Sequence, residues 1–268
     1  MREEYRYYTQ NGTKQRLCVV RDTDPLNPRT EDEGNVGMMC CFGRYSYLGD
    51  DTPYRTVEDL KQDLMKTAGI TMETLREYAK TDAKTVRLTY ESAKHMWQLY
   101  SWTKNETESL LLEDDDIEIL DDDLLEGVLV SEIIALSKGA VIALPLYVYD
   151  HGGITMNTNG FSDPWDTSSV GIIWTTPKKL QETGIVQETG ETWESVAKRS
   201  LEAEVQTYDQ YLKDEVYGYV VETLDEEGEW TEVDSCYGYY VSTSNPLLEL
   251  ADEYFGVGNH TNEPIVAA

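Results

Sequence analysis

Apolar and polar positions along this chain follow two different periods, and the switches between them mark its elements. Aromatic and β-branched runs stand on either side of Asn11-Gly12, a pair suited to a two-residue type I′ turn because both central residues take positive φ. This predicts an N-terminal hairpin that pairs with the main sheet. Residues 22–35, rich in Asp, Pro and Asn, read as loop, and residues 38–42 as a short buried apolar segment. Thr56 with Asp59 resembles a capping box opening a helix through Leu60, Leu64 and Met65 to Gly69, and Thr71 opens another. Over residues 86–102, Ala93, Met96, Trp97 and Tyr100 fall at helical spacing and predict a further helix. Residues 140–149 and 170–175 predict two buried strands joined by a loop of Gly, Asn, Ser and Pro. Trp193, Ala197, Leu201, Val205, Tyr208 and Leu212 recur at three and four, an amphipathic helix. Residues 217–223 and 230–240 flank Glu226-Glu227-Gly228 as a second hairpin, and Asn245-Pro246 caps a last helix that Gly256 closes.

Strands at both ends with helices between them predict an α+β fold: a central, mostly antiparallel sheet with hairpins at both ends and a helical acidic insert. Residues 1–50 and 139–268 would form the core domain and residues 51–138 the insert. A chain of 268 residues has ample length for such a core.

Charge changes this picture most. Acids outnumber bases 51 to 22, a formal charge of -29, which repels nucleic acid and anionic membrane and argues against direct binding of either. Residues 106–132 carry 12 carboxylates and no base, whereas residues 136–190 carry only 5. In the dense block, Leu110, Leu111, Leu112, Ile117, Ile119, Leu120, Leu124 and Leu125 interleave the acids. The pattern predicts a segment anchored by its aliphatic residues with its carboxylates facing out. The expected partner-binding surface is Glu113, Asp114, Asp115, Asp116, Glu118, Asp121, Asp122, Asp123 and Glu126, aided by residues 191–268 with 18 acids against 3 bases. None of the dense aspartates is expected to serve a structural purpose that asparagine or serine would not.

Other chemistry is sparse. No run reaches the ~18 apolar residues of a membrane helix, and the Met-Arg-Glu-Glu start lacks a signal peptide's apolar core, so a cytoplasmic protein is expected. Cys18, Cys40, Cys41 and Cys236 lie in apolar or aromatic strand contexts and read as reduced, buried thiols. Asp150-His151, with Asp163 and Asp166, has the residue types for a divalent ion or an acid and base. The structural alternative, preferred because no second histidine is near, is a tight turn with Gly152 and Gly153 at positive φ. In it Asp150 binds backbone and Trp165 packs on the sheet. Ser162, Ser168 and Ser169 lie in no nucleophile elbow, and no phosphate-cradling glycine motif is present. No catalytic residue, cofactor or metal is therefore assigned, and the protein is expected not to be an enzyme. The 19 tyrosines against 3 phenylalanines fit half-buried or interface aromatics as well as plain strand propensity.

Two passages carry a resemblance. Residues 27–50, NPRTEDEGNVGMMCCFGRYSYLGD, contain NPR, GxMxC and a variant of RYxLGD, with Gly43 where histidine is frequent. Residues 144–174, LPLYVYDHGGITMNTNGFSDPWDTSSVGIIW, contain LPLYxYDHxGIT, FSxPWD and VGxIW; YDQYL, VYGYVVE and DSCYGYY follow downstream. The chain thereby resembles a protein family common in tailed phages and mobile elements, which implies a viral accessory protein in the host cytoplasm and brings no enzymatic activity. B-form DNA carries a charge every ~1.7 Å, so 29 charges match roughly 50 Å of duplex, and a globule of this length is also roughly 48 Å across. The expectation is a DNA mimic that occupies the basic channel of a host nucleic-acid-targeting defence enzyme, such as a restriction enzyme. The alternatives are a non-enzymatic accessory or structural protein whose acids serve solvation or high salt, and a hydrolase using Asp150 and His151.

Overall fold

Local signals set most element ends. Thr56 caps the first helix with its side chain on the Asp59 N–H while the Asp59 carboxylate returns to the Thr56 N–H, and Gly69 closes that helix in the left-handed region at φ 68°. Thr71, Thr192 and Asn245 cap three more helices, each side chain accepting the N–H three residues on.

The computed structural model describes residues 4–10, 12–31, 34–102, 107–163 and 166–265. In chain order these form β1 (Tyr5–Gln10), β2 (Thr13–Arg21), β3 (Met38–Cys41), α1 (Val57–Ala68), α2 (Met72–Thr81), β4 (Val86–Glu91), β5 (Met96–Trp102), β6 (Glu108–Asp114), α3 (Asp121–Gly127) and α4 (Val130–Leu136). There follow β7 (Ile142–Asp150), β8 (Ile154–Asn157), β9 (Thr167–Thr175), α5 (Pro177–Glu182), α6 (Trp193–Leu212), β10 (Tyr217–Leu224), β11 (Trp230–Tyr239) and α7 (Pro246–Phe255). The fold is α+β with antiparallel sheets, in the strand orders β1-β2-β10-β11, β3-β9-β7-β8 and β4-β5-β6.

The β3-β9-β7-β8 sheet lies at the centre. On one face α6 packs Leu201, Val205 and Tyr208 against Met39, Leu146, Met156 and Ile173. On the other, Cys40, Val141 and Trp174 join a core with Leu60, Leu64, Leu99, Leu124 and Ile133 from the 51–138 segment. Gly171 permits the closest strand approach: a Cβ there would stand 1.8 Å from the Cys40 carbonyl.

Three sequence expectations change. The N-terminal hairpin forms, although Asn11 lies outside the described residues, but it pairs β2 with β10 of the second hairpin, not with the central sheet. The reason is a shared apolar face, where Leu17 and Val221 bury against Ala251 and Phe255 of α7. Residues 86–102 form two strands instead of a helix: Val86 and Leu88 bury on period two, Leu99 opposes Leu88, and the Lys94-His95 turn reverses the chain, with His95 at φ 56°. The insert is thus a mixed α/β segment. The loop between the two buried strands contains a further strand, β8, paired with β7.

The 27–37 loop is held by one buried cation. Arg29, its side chain 1% exposed, donates from Nε and one terminal nitrogen to the two Asp50 oxygens (2.6 and 2.9 Å). It also donates to Glu204 (2.7 Å), Asn35 Oδ1 (2.9 Å) and the Gly37 carbonyl (2.8 Å). Glu204 takes the Val36 N–H at 2.7 Å and Asp50 the Met39 N–H at 2.9 Å. Arg29→Met leaves two carboxylates facing each other without their cation and is expected to lose about 3–5 kcal/mol of stability. Arg29→Lys is expected to recover little, because an ammonium cannot match the planar fork. Urea melts check both; an Arg29→Lys protein as stable as the wild type would contradict this role.

Candidate functional site: the acidic face

The acidic block begins on β6, where a register shift puts Leu112 opposite Leu99 and Leu110 opposite Tyr100. Leu111 is the extra residue of this bulge. Leu112 turns inward, while Leu110 and Leu111 are 45% and 48% exposed. The chain then turns on its own aspartates: Asp114 accepts the Asp116 N–H and Asp116 accepts the Glu118 N–H, both at 2.9 Å. A 3-10 turn over Ile117–Leu120 follows, burying Leu120 and leaving Ile119 55% exposed. Asp121, Asp122 and Asp123 occupy the first turn of α3, where the helix dipole favours negative charge. Leu124 and Leu125 bury beneath them. Lys61, itself buried, closes the far end by donating to the Leu125 and Glu126 carbonyls, each at 2.9 Å.

Five of the eight aliphatic residues therefore anchor the block as expected, and Leu110, Leu111 and Ile119 do not. Leu129, just before α4, is also exposed. Three consecutive leucines cannot all face inward on a strand of period two, which is the signal in the sequence that was open to reading.

The aspartates also divide. Asp121 forms a two-pronged pair with Arg76 of α2 (2.8 and 2.6 Å), the largest cause of the raised Arg76 pKa. Glu113 accepts from Gln98 (2.9 Å) and Lys94 (3.2 Å), which lower its carboxyl. Asp114 and Asp116 hold the turn. The expectation that asparagine or serine would serve as well is thus corrected for Asp121, whose pair with Arg76 needs the charge, whereas the turns at Asp114 and Asp116 are ones an asparagine side chain also makes. Glu118 and Glu126 stay exposed, and the carboxylates of Asp115, Asp122 and Asp123, also exposed, make no ion pair among the described residues.

Glu132, the last acid of the block, faces inward, contrary to expectation, and is 5% exposed. Burial by itself would raise its carboxyl. Hydrogen bonds from the Lys84 N–H (2.8 Å), Thr85 Oγ1 (2.6 Å), the Leu129 N–H (3.0 Å) and the Tyr78 hydroxyl (2.8 Å) outweigh burial and hold it below the ordinary 4.5.

Of the other sequence candidates, only His151 and Asp166 are brought into side-chain contact among the described residues. Asp150 accepts from the Tyr45 hydroxyl at 3.1 Å, not from turn backbone; His151 is exposed and stands 3.1 Å from Asp166. Of the two turn glycines only Gly152 has positive φ, and Trp165 lies outside the described residues. Among the described residues, no three His, Cys, Asp or Glu side chains come together as a metal site. Burial pushes the thiols of Cys40 and Cys41 up to about 12, so neither is an available thiolate. Cys18 is half-buried and Cys236 exposed, correcting the expectation of four buried thiols. Among the described residues, no helix is long and apolar enough to cross a membrane. No family model, curated protein or solved structure matches this chain.

Two outcomes follow from the division of the acids. Asp122→Asn with Asp123→Asn is expected to leave stability within about 0.5 kcal/mol of wild type, whereas Asp121→Asn, which leaves Arg76 only the longer contact with Glu73 at 3.6 Å, is expected to cost about 1–3 kcal/mol. Denaturant melts that rank them the other way would refute the assignment. Because the folded Glu132 carboxyl is held below its ordinary 4.5, its contribution is complete above that value and is lost as pH falls through the folded one. Glu132→Gln should therefore cost about 1–3 kcal/mol at pH 7, and the gap to wild type should narrow below about pH 4. A gap of equal size at pH 7 and pH 3 would contradict this.

Proposed function

We propose that this protein is a non-enzymatic accessory protein of a tailed phage or mobile element that binds a basic protein surface through its acidic, leucine-bearing face. The partner is a host nucleic-acid-targeting defence enzyme, whose DNA channel the face occupies. One observation supports this reading above the others: Leu110, Leu111 and Ile119 are exposed on the same short stretch as Asp115, Glu118, Asp122 and Asp123. Carboxylates kept only for solvation or high salt gain nothing from exposed leucines, which cost solubility. A protein interface uses both, an apolar patch that partner side chains cover and a charged surround that steers and orients the approach. The net charge of -29 disfavours a second copy of the chain as that partner and favours a basic one.

The test is plating of unmodified phage on hosts carrying a panel of restriction enzymes, with the protein expressed as wild type or as either of two variants. Asp115→Asn/Glu118→Gln/Asp122→Asn/Asp123→Asn removes charge, and Leu110→Ser/Leu111→Ser/Ile119→Ser removes the apolar patch. Wild type is expected to raise plating on at least one host and both variants to lose the effect. With that purified enzyme, inhibition should weaken as salt rises, and less steeply for the charge variant. Wild-type protein that unfolds at low salt and changes plating on no host would favour the high-salt reading instead.

A further inference from the structure

The passages at residues 27–50 and 144–174 take no part in the acidic face, yet their residues meet at a second feature. A cavity of about 440 Å³ opens between residues 35–38, the C-terminal end of α1, the end of β9 and the start of α5. Its volume lies within the range of small-molecule sites, roughly 300–1,000 Å³. Val36, Met38 and Trp174 supply apolar wall, the Arg29–Asp50 pair lines its buried side, and Lys179, exposed, stands at the rim.

The charges inside are already matched. Both Asp50 oxygens accept from Arg29, and one also takes the Met39 N–H; Glu204 accepts from Arg29 and the Val36 N–H. These bonds also fix the backbone of residues 35–39, so the wall is organised before any ligand arrives, which lowers the cost of binding. At the rim the balance is different. Lys178 pairs with Glu182 at 3.6 Å, whereas Lys179 makes no ion pair among the described residues. The segment that carries it, residues 136–190, is the least acidic of the chain.

We propose that this cavity binds a small amphiphilic anion: an apolar, flat body lodged against Trp174 and Met38, with one sulfonate-, carboxylate- or phosphate-type group at the Lys179 ammonium. The site is separate from the acidic face and does not depend on the function proposed for it. It also runs against the bulk electrostatics, since a protein of charge -29 repels small anions in general.

Two dyes with the same aromatic body test it on the native full chain: 8-anilinonaphthalene-1-sulfonate, which is anionic, and N-phenyl-1-naphthylamine, which is neutral. The anionic dye is expected to bind one per chain and roughly tenfold tighter than the neutral one, about the size of a single charge-assisted hydrogen bond. Lys179→Glu should abolish that preference while leaving the neutral dye bound. Thr67→Trp, which fills the cavity from α1, should weaken both; melting midpoints confirm that each variant is folded. Failure of the anionic dye to bind the folded wild type overturns the proposal. So does binding at many weak sites, or a dye preference unchanged by Lys179→Glu.

Discussion

A single buried guanidinium organises the centre of this molecule. The loop that precedes β3, residues 27–37, buries one aliphatic side chain, Val36, so hydrophobic burial alone does not place it. Arg29 does, because its planar group offers five donors in fixed directions. Those donors reach Asp50 beyond β3, Glu204 on α6 and the loop's own Asn35 and Gly37. A buried charge is costly when any donor is unmatched, and here the two carboxylates are themselves completed by backbone N–H groups. Strand, helix and loop therefore share one arrangement, and the walls of the Trp174 cavity inherit it.

The same rule sorts the acids. Carboxylates that enter the body, Asp50, Glu132 and Glu204, are each surrounded by donors. Glu132 ties α2, the entry to β4 and the start of α4 together through four hydrogen bonds. The surplus charge remains on surface segments whose backbones are secured by buried leucines, so repulsion among the acids acts outward into solvent without prying the core apart. Arg76 gripping Asp121 and Lys61 closing α3 at its C-terminal carbonyls keep that surface in one shape. The acidic segment is thus tied to the body at both ends of α3.

The two features argued to bind, the acidic face and the cavity, are separate in composition. The face draws on exposed carboxylates and leucines of the 51–138 segment. The cavity draws mainly on residues from the central part of the fold, with Thr67 from α1 and Lys179 from α5 at its margin. Their chemistry is also opposite in sign, one suited to a cationic protein surface and the other to a small anion.

Several parts of this structure were determined by sequence alone, because the forces involved act over a few residues. The Thr56–Asp59 capping box, the Asn245-Pro246 helix start, the period of α6 and both terminal hairpins are local agreements between side chain and backbone. So was the separation of acidic surface from apolar sheet. What only tertiary structure decided depends on partners distant in the chain. Residues 86–102 carry both helical and alternating spacing, and the strands are the arrangement that buries Val86, Leu88 and Leu99 in the core shared with α1, α3 and α4 while β6 pairs with the edge of β5. The exposure of Leu110 and Leu111 follows from a bulge that exists only in that pairing. The structural roles of Asp121 and Arg29 depend on Arg76, 45 residues away, and Glu204, 175 residues away. A charge pattern states how many acids there are; only the fold, by bringing a donor within reach or leaving none, decides which of them are left facing solvent.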